Sequence, residues 1–503
     1  MTSVTVYDGL DSIGGNKIYL EENGKGVFLD FGLNFKAYNQ YYKNFLSERA
    51  IRGIHDLYQL GLIPEINNYR PDLVPIDLDL SHHKKLNIEA VLLSHAHKDH
   101  YGNLGLLDDE VPVVASSQTL ALLKGLLDVS TAQLGSDVIY YAKRSSEKDG
   151  RVMTINRGNF KQRTLVCSHY RPELEDFLLA KSRASREINA SKLISIENYP
   201  LNFKITPFEV DHSIYGATAF LIEGDSLVAY SGDFRLHGKQ AHKSQKFFSA
   251  AKEARVLIIE GTRANITEET DTERDIFHNC LEKSKEAKGL VVANFSPNNL
   301  ERLETFRDVA SSIGRQLVVS PKEAYLLKAL EQADGIDRAK EVSVYESVRS
   351  KVPYWEKEYL KDLDKVNSGA IRKNPDAYIA CFSYYALNNL LDINVRQGTY
   401  IYSSVRAYEE EAEYDFIRLY KWMRGVFNFE IIGFDVVKHK GKKIPRFAKG
   451  YHTSGHAGQK DLIKAIEMVD PDVLIPVHTE NREWFANTFD MVPNIKKGKP
   501  IIV

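Results

Sequence analysis

Ser94-His95-Ala96-His97-Lys98-Asp99-His100 follows directly on the apolar run Ala90-Val91-Leu92-Leu93, and Gly102 comes two residues later. The apolar run reads as a buried strand and Gly102 as the opening of a helix. Three imidazoles and a carboxylate at a strand end suit divalent zinc, which takes nitrogen and oxygen ligands. Single histidines usually sit on surface loops, but His-x-His-x-Asp-His behind an apolar strand is a specific spacing. In a tight turn His95 and His97 can point to one side while Asp99 and His100 point to the other. One peptide then supplies half of two adjacent sites, so two metals fit better than one. Two metals about 3.5–4 Å apart form a clamp suited to in-line displacement at phosphorus.

The rest of the composition sets bounds on that reading. At 503 residues the chain is too long for one compact core, and two domains plus insertions are expected. A formal net charge of -2 argues against nonspecific scaffolding on nucleic acid, though it leaves room for a local basic groove. Cys167, Cys280 and Cys381 are far apart with no CxxC pair, which points away from a disulfide framework or a thiolate zinc site. Met1 to Val6 lacks a charged leader followed by an apolar stretch, and no run approaches about 18 apolar residues. A cytoplasmic protein that is not embedded in a membrane is expected.

Taken in order, residues 3 to 34 read as hairpins over Val4–Val6, Asn16–Leu20 and Gly26–Asp30. From Phe35 to Leu80, aromatic and basic residues interleave, with Tyr38, Tyr41, Tyr42, Lys43, Phe45, Arg49 and Arg52 partly at helical spacing. They fit either a helix packing its aromatics or a base-stacking surface. Val111–Ala115 reads as a short strand and Ser117–Leu127 as a capped helix, whereas residues 130 to 205 read as a basic insertion or lid beside the site. His212 and Asp233 each follow a strand pattern, and Ala254-Arg255-Val256-Leu257-Ile258-Ile259-Glu260-Gly261-Thr262 is another buried strand closing on a carboxylate. From about Arg274 to Gly425, helices at Glu301–Ile313, Pro321–Ala333, Trp355–Val366 and Glu409–Arg424 alternate with strands at Leu290–Ala293, Gln316–Val319, Ala377–Ala380 and Tyr400–Tyr402. That alternation predicts a small parallel sheet in a separate α/β domain. The chain closes with Lys438, Lys440, Lys442 and Lys443, His452-Thr453-Ser454-Gly455-His456-Ala457, a helix over Gln459–Val469, and Pro476-Val477-His478-Thr479-Glu480.

These motifs, in this order, resemble the metallo-β-lactamase-fold hydrolases. Within them the chain resembles the β-CASP nucleases, in which a second α/β domain is inserted, and is most similar to the ribonuclease J family through Gly9–Gly14, His212-Ser213-Ile214, Ser231-Gly232-Asp233-Phe234 and the final motifs. The resemblance implies an αββα metallo-β-lactamase sandwich with an inserted β-CASP α/β domain, divided as 1–245, 246–435 and 436–503. It implies that His95, His97 and His212 hold one zinc, that Asp99, His100 and His478 hold the other, and that Asp233 bridges them. Manganese or magnesium could serve in activity. Asp30 would hydrogen-bond a ligand histidine from beneath.

Asp99, Asp233, Glu260 and His456 would carry catalysis, with Glu260 orienting His456 to protonate or stabilise the leaving oxygen. His452, Ser454 and the amides around Gly455 would cradle a neighbouring phosphate, with Ser296 and Asn299 as weaker candidates. Histidine at 478 goes with RNA in that family, so the expected activity is hydrolysis of single-stranded RNA, from the 5′ end, internally or both, by a monomer or homodimer. A DNA-directed nuclease and a small-molecule metallo-hydrolase are the alternatives. The sequence departs from the family in the insert, where Cys381-Phe382-Ser383-Tyr384-Tyr385 replaces a Gly-Ser-Gln-Gly-Glu type segment.

Overall fold

A computed structural model describes the chain except residues 43–45, 131–132, 148, 269–270, 405–409 and 440, and at 410–413 it describes the backbone alone. Lys43, Phe45, Glu409 and Lys440, singled out above, lie outside the described residues.

Two sheets stack face to face. The first has eight strands. Thr2–Asp8, Lys17–Glu22 and Lys25–Leu29 run antiparallel, and parallel strands Ile88–Leu92, Val113–Ala115, Leu165–Cys167 and Ile194–Ser195 extend them. Pro500–Ile502 caps the opposite edge. The second sheet orders Lys204–Glu209, Thr218–Glu223, Leu227–Tyr230, Val256–Glu260 and Val473–Val477, the last two added in parallel.

The period of two in each strand explains the packing. Val27, Leu29, Ala90 and Leu92 point into the core between the sheets, where they meet Ile222, Val228, Ile258 and Ile475. Phe28, Val91 and Leu93 point outward beneath helix Ser117–Val129, so these strands are buried on both faces and read as continuous apolar runs. Helices Ala241–Ala250 and Gln459–Val469 cover the outer face of the second sheet. The result is an αββα sandwich.

A third sheet carries seven strands, all parallel, in the order Lys365–Asn367, Val342–Glu346, Gln316–Val319, Tyr378–Cys381, Leu290–Asn294, Gly398–Tyr402 and Glu430–Ile432. Every one of these strands lies in sequence between Val256–Glu260 and Val473–Val477, which pair directly from Val256 against Val473 to Glu260 against Val477. The α/β unit is therefore inserted between two adjacent strands of the sandwich. A buried arginine ties the parts together. Arg235 of the sandwich binds Asp211 at 2.9 Å and also Glu301 of the insert, while within the insert Arg302 binds Glu273 at 2.8 Å.

The structure departs from the sequence reading in several places. The sheet pairing of the sandwich continues past residue 245, because Ala241–Ala250 is one helix and Val256–Glu260 belongs to the second sheet. The segment 130–205 is not a lid. Leu165–Cys167 and Ile194–Ser195 are strands of the first sheet, and Leu174, Phe177 and Leu178 of helix Pro172–Leu179 are buried in the core. The strands it adds to the first sheet are two or three residues long, too short to show a period, and its Arg163 is buried against the carbonyls of Leu107 and Val111 at 2.8 and 3.0 Å. The helix expected over Trp355–Val366 stops at Tyr359, and Lys365–Asn367 is an edge strand whose Val366 is buried. The described residues of 35–59 form only short helical turns, where Arg49 and Arg52 pair with Asp56 and Asp77.

The loop after Lys25–Leu29 is stitched to the metal-motif loop by backbone bonds from Phe31 to His100 at 2.8 Å and from Leu33 to Lys98 at 3.0 Å. Between them, a Cβ on Gly32 would lie 1.6 Å from the Asp99 carbonyl oxygen. Gly32→Ala is expected to lower the unfolding free energy by about 1–3 kcal/mol or more, since main chain cannot step aside as a side chain does. Gly425→Ala, with no atom within 4 Å of the added methyl, should be near neutral. Chemical denaturation of the two variants against the parent checks both.

Candidate metal centre

The side chains of interest leave the carboxyl ends of five strands. Ser94 to His100 follow Ile88–Leu92, His212 follows Lys204–Glu209, Asp233 follows Leu227–Tyr230, Glu260 ends Val256–Glu260, and His478 comes directly after Val473–Val477. Gly102 does not open a helix. It closes the single turn Lys98–Tyr101, for which His97 is the N-cap residue, so Asp99 and His100 lie within the turn.

These residues converge on Asp233. Its Oδ2 lies 3.1 Å from His100 Nε2, 3.6 Å from His95 Nε2, 3.7 Å from His478 Nε2, 3.7 Å from His456 Nδ1 and 3.9 Å from His212 Nε2. On one side His97 Nδ1 stands 3.0 Å from His95 Nε2 and 3.2 Å from His212 Nε2. On the other, His478 Nε2 stands 3.1 Å from Asp99 Oδ2, and His100 Nε2 stands 3.8 Å from it. His95, His97 and His212 form one set whose potential ligand atoms lie within 4.8 Å of one another, and Asp99, His100 and His478 form a second.

The outward ring nitrogens are held as metal-ligating imidazoles require. His100 Nδ1 donates to Asp30 Oδ2 at 2.6 Å, and His212 Nδ1 to the Gly455 carbonyl at 2.6 Å. His95 Nδ1 meets Ser94 Oγ at 3.0 Å, and His478 Nδ1 meets Thr262 Oγ1 at 2.8 Å. Asp30 also accepts from Ser94 N and from the Tyr230 hydroxyl. Ser94, Tyr230 and Thr262 are supports the sequence reading missed. Hydroxyl residues at strand ends are too common to single out before the fold shows what they face.

Burial pushes His95 and His212 well below the usual imidazole value and His97 to about 4, so all three are neutral near pH 7. Burial also opposes the charge on His100, but Asp233, Asp30 and Asp99 outweigh it and raise that ring. Asp99 is pulled below the carboxylate range by His100 and His478 despite its burial, and Asp233 likewise by His100, His478 and His456. Three neutral imidazoles with converging nitrogens, beside ionised carboxylates, match the donor set of a divalent zinc-type cation. Asp233 Oδ1 is buried with no hydrogen-bond partner among the described residues, as an oxygen reserved for a cation would be.

His456 adjoins this cluster. Its Nδ1 lies 3.1 and 3.2 Å from the two oxygens of Glu260, which is otherwise held by the amides of Phe234 and Thr262. His456 is raised to about 9, because Glu260 and Asp233 outweigh its burial.

The residues expected to cradle a phosphate fare differently. Both ring nitrogens of His452 face carbonyls, of Ser404 at 2.7 Å and Gly433 at 2.8 Å. Ser454 Oγ accepts from His456 N, Asn299 Oδ1 caps helix Leu300–Ser312, and Ser296 lines a separate cavity in the inserted unit. The structure does not bring these residues together into one cradle.

Replacing the Thr262 hydroxyl by a methyl in Thr262→Val frees the His478 ring to turn. Metal affinity of that half of the centre is expected to fall about 10–100-fold with the fold intact, read by chelator competition beside circular dichroism.

Comparison with known proteins agrees with this architecture. Residues 445–493 match the family described as "Zn-dependent metallo-hydrolase RNA specificity domain". Ribonuclease J of Pyrococcus abyssi is 22% identical over 509 residues, covering 96% of this chain and 90% of that one. Ribonuclease J of Sinorhizobium meliloti is 22% identical over 445 residues, covering 85% of this chain and 65% of that longer one. The solved structure of a protein of unknown function from Enterococcus faecalis superposes with a TM-score of 0.68 at 21% identity, covering 100% of both chains, and so shares the fold. No helix among the described residues is long and apolar enough to cross a membrane. With an αββα sandwich interrupted by a parallel α/β unit, and relatives of one name matching along nearly its whole length, the chain is ribonuclease J-like.

Proposed function

We propose that this protein is a metal-dependent ribonuclease that hydrolyses phosphodiester bonds of single-stranded RNA in the cytoplasm. The observation that carries the reading is that His456 and His478, both inside the segment matched to an RNA specificity domain, stand within 3.7 Å of Asp233. An RNA-recognition element and a cation pocket are thus one structure.

His95, His97 and His212 would hold one zinc, Asp99, His100 and His478 the second, and Asp233 would lie between. Two such cations, when bound, activate water near neutral pH and stabilise the attacking and leaving oxygens. Asp30, Ser94, Thr262 and the Gly455 carbonyl hold the ligand rings in place. His456 is 22% exposed whereas His100, His212 and His478 are fully buried, so an incoming phosphate can reach it where it cannot reach those three. Glu260 keeps it oriented and protonated to give its proton to the departing oxygen.

The test is digestion of RNA labelled at either end, carrying a 5′-monophosphate, triphosphate or hydroxyl, beside a matched single-stranded DNA. RNA cleavage is expected to exceed DNA cleavage, to vanish with a chelator and to return with zinc or manganese. Metal catalysis supplies several kcal/mol, so His97→Ala should lower the rate by about a hundredfold or more. Mononucleotides from the monophosphate form alone would mark a 5′-to-3′ exonuclease, and internal fragments from all three an endonuclease. Equal or faster DNA cleavage overturns the assignment to RNA.

A further inference from the structure

Beyond the carboxyl ends of three neighbouring parallel strands of the inserted sheet, Tyr378–Cys381, Leu290–Asn294 and Gly398–Tyr402, lies a cavity of about 260 Å³. Ser296, Ser383, Tyr384, Tyr385, Tyr402 and Asp415 are among its walls. The chain leaves Leu290–Asn294 toward one edge of the sheet and leaves Gly398–Tyr402 toward the other. A crevice at such a divergence is where open α/β sheets take ligands. Its volume falls just below the roughly 300–1,000 Å³ typical of sites for drug-sized molecules, so it suits one ring system rather than a larger ligand.

Three observations specify the chemistry. The first is aromatic surface without packing. Tyr385 is 90% exposed and stands edge-on to Tyr384, ring centroids 5.8 Å apart, while Tyr402 belongs to a buried aromatic cluster with Phe416 and Phe434. A tyrosine ring in water beside a cavity is a face on which a flat heterocycle can stack. The second is charge. Among the described residues the one carboxylate in the lining, Asp415, accepts from Arg418 at 2.8 Å and from the Tyr384 hydroxyl at 3.4 Å, and no lysine or arginine is in that lining. A carboxylate already paired with Arg418 does not favour a phosphate beside it, whereas the serine hydroxyls and Asp415 can pair with the edge of a base. The third is position. Ser404, at the cavity, accepts from the ring of His452, four residues before His456.

We propose that this cavity is a nucleobase site, in which Tyr385 stacks on a base of the bound RNA that has been splayed out of its strand. The site recognises an uncharged ring and not a terminal phosphate, so the 5′-phosphorylation state is not read there. The inference builds on the ribonuclease reading, which supplies the strand to which the base belongs.

The experiment separates the two. Binding is measured without cleavage, on the full chain carrying His97→Ala, to a short fluorescent oligoadenylate, to the same strand with single abasic positions scanned along it, and to adenosine and ribose 5-phosphate as competitors. A lost base stack is expected to weaken oligonucleotide binding by about tenfold. That loss should appear with Tyr385→Ala and with one abasic position, should not add when both are present, and should be absent in Tyr385→Phe, which keeps the ring. Adenosine should compete and ribose 5-phosphate should not. If free adenosine binds equally well but abasic substitution changes nothing, the site serves a free nucleoside and the proposal falls. It also falls if Tyr385→Ala leaves binding unchanged, or if ribose 5-phosphate competes as well as adenosine. Cleavage assayed in parallel on the protein with His97 intact keeps the outcomes apart. RNA cleavage without base dependence overturns only the pocket, and base-dependent binding without any cleavage overturns only the nuclease.

Discussion

Asp233 is 1% exposed, ionised, and surrounded by five imidazoles within 3.9 Å. A buried carboxylate costs several kcal/mol unless charge and hydrogen bonds surround it, and much of the fold is devoted to supplying them. The five imidazoles arrive from four separate strand ends or loops, His95 and His100 sharing one, and the outward nitrogens of His95, His100, His212 and His478 each have a fixed partner. Even the backbone is bent to this end. Asp30 and His478 have φ of 59° and 53°, a region that non-glycine residues seldom adopt. Both are held there by amide bonds, Asp30 to Leu92 at 3.0 Å and His478 to Gly9 at 2.6 Å.

That constraint also explains how a large unit can be inserted without spoiling the centre. Val256–Glu260 and Val473–Val477 are adjacent parallel strands, and parallel neighbours need a crossover connection between them. The entire seven-stranded sheet is carried within that crossover. Glu260 leaves the sandwich and His456 and His478 return to it, so the insert lies in sequence between residues of the candidate metal centre. The buried pairs of Arg235 with Asp211 and Glu301 hold the insert against the loop that bears His212.

The insert contributes differently from the sandwich. Where the resemblance implies a Gly-Ser-Gln-Gly-Glu type segment, this chain places Ser383, Tyr384 and Tyr385 at a cavity whose described lining holds no lysine or arginine. The residues expected to hold a phosphate are mostly engaged elsewhere, His452 with two carbonyls and Asn299 with a helix end.

Much of the sandwich is legible in the sequence because strands buried on both faces must be apolar throughout, and because the ligands follow them at fixed short spacing. Ala90–Leu93 before His95, Val256–Ile259 before Glu260 and Val473–Val477 before His478 all show this. The short strands of 165–167 and 194–195 carry no readable period and gave way to the impression of a basic lid. Residue spacing by itself determined that His95, His97, Asp99 and His100 act from one turn at the end of a strand. Only the tertiary structure decided that Asp233, His212 and His478 close around them, that Thr262 and Ser94 fix their rings, and that Tyr385 faces a cavity. Apart from those of Ser94, the contacts around the centre join residues more than a hundred positions apart, and such approaches are set by sheet register and packing, which no local pattern records.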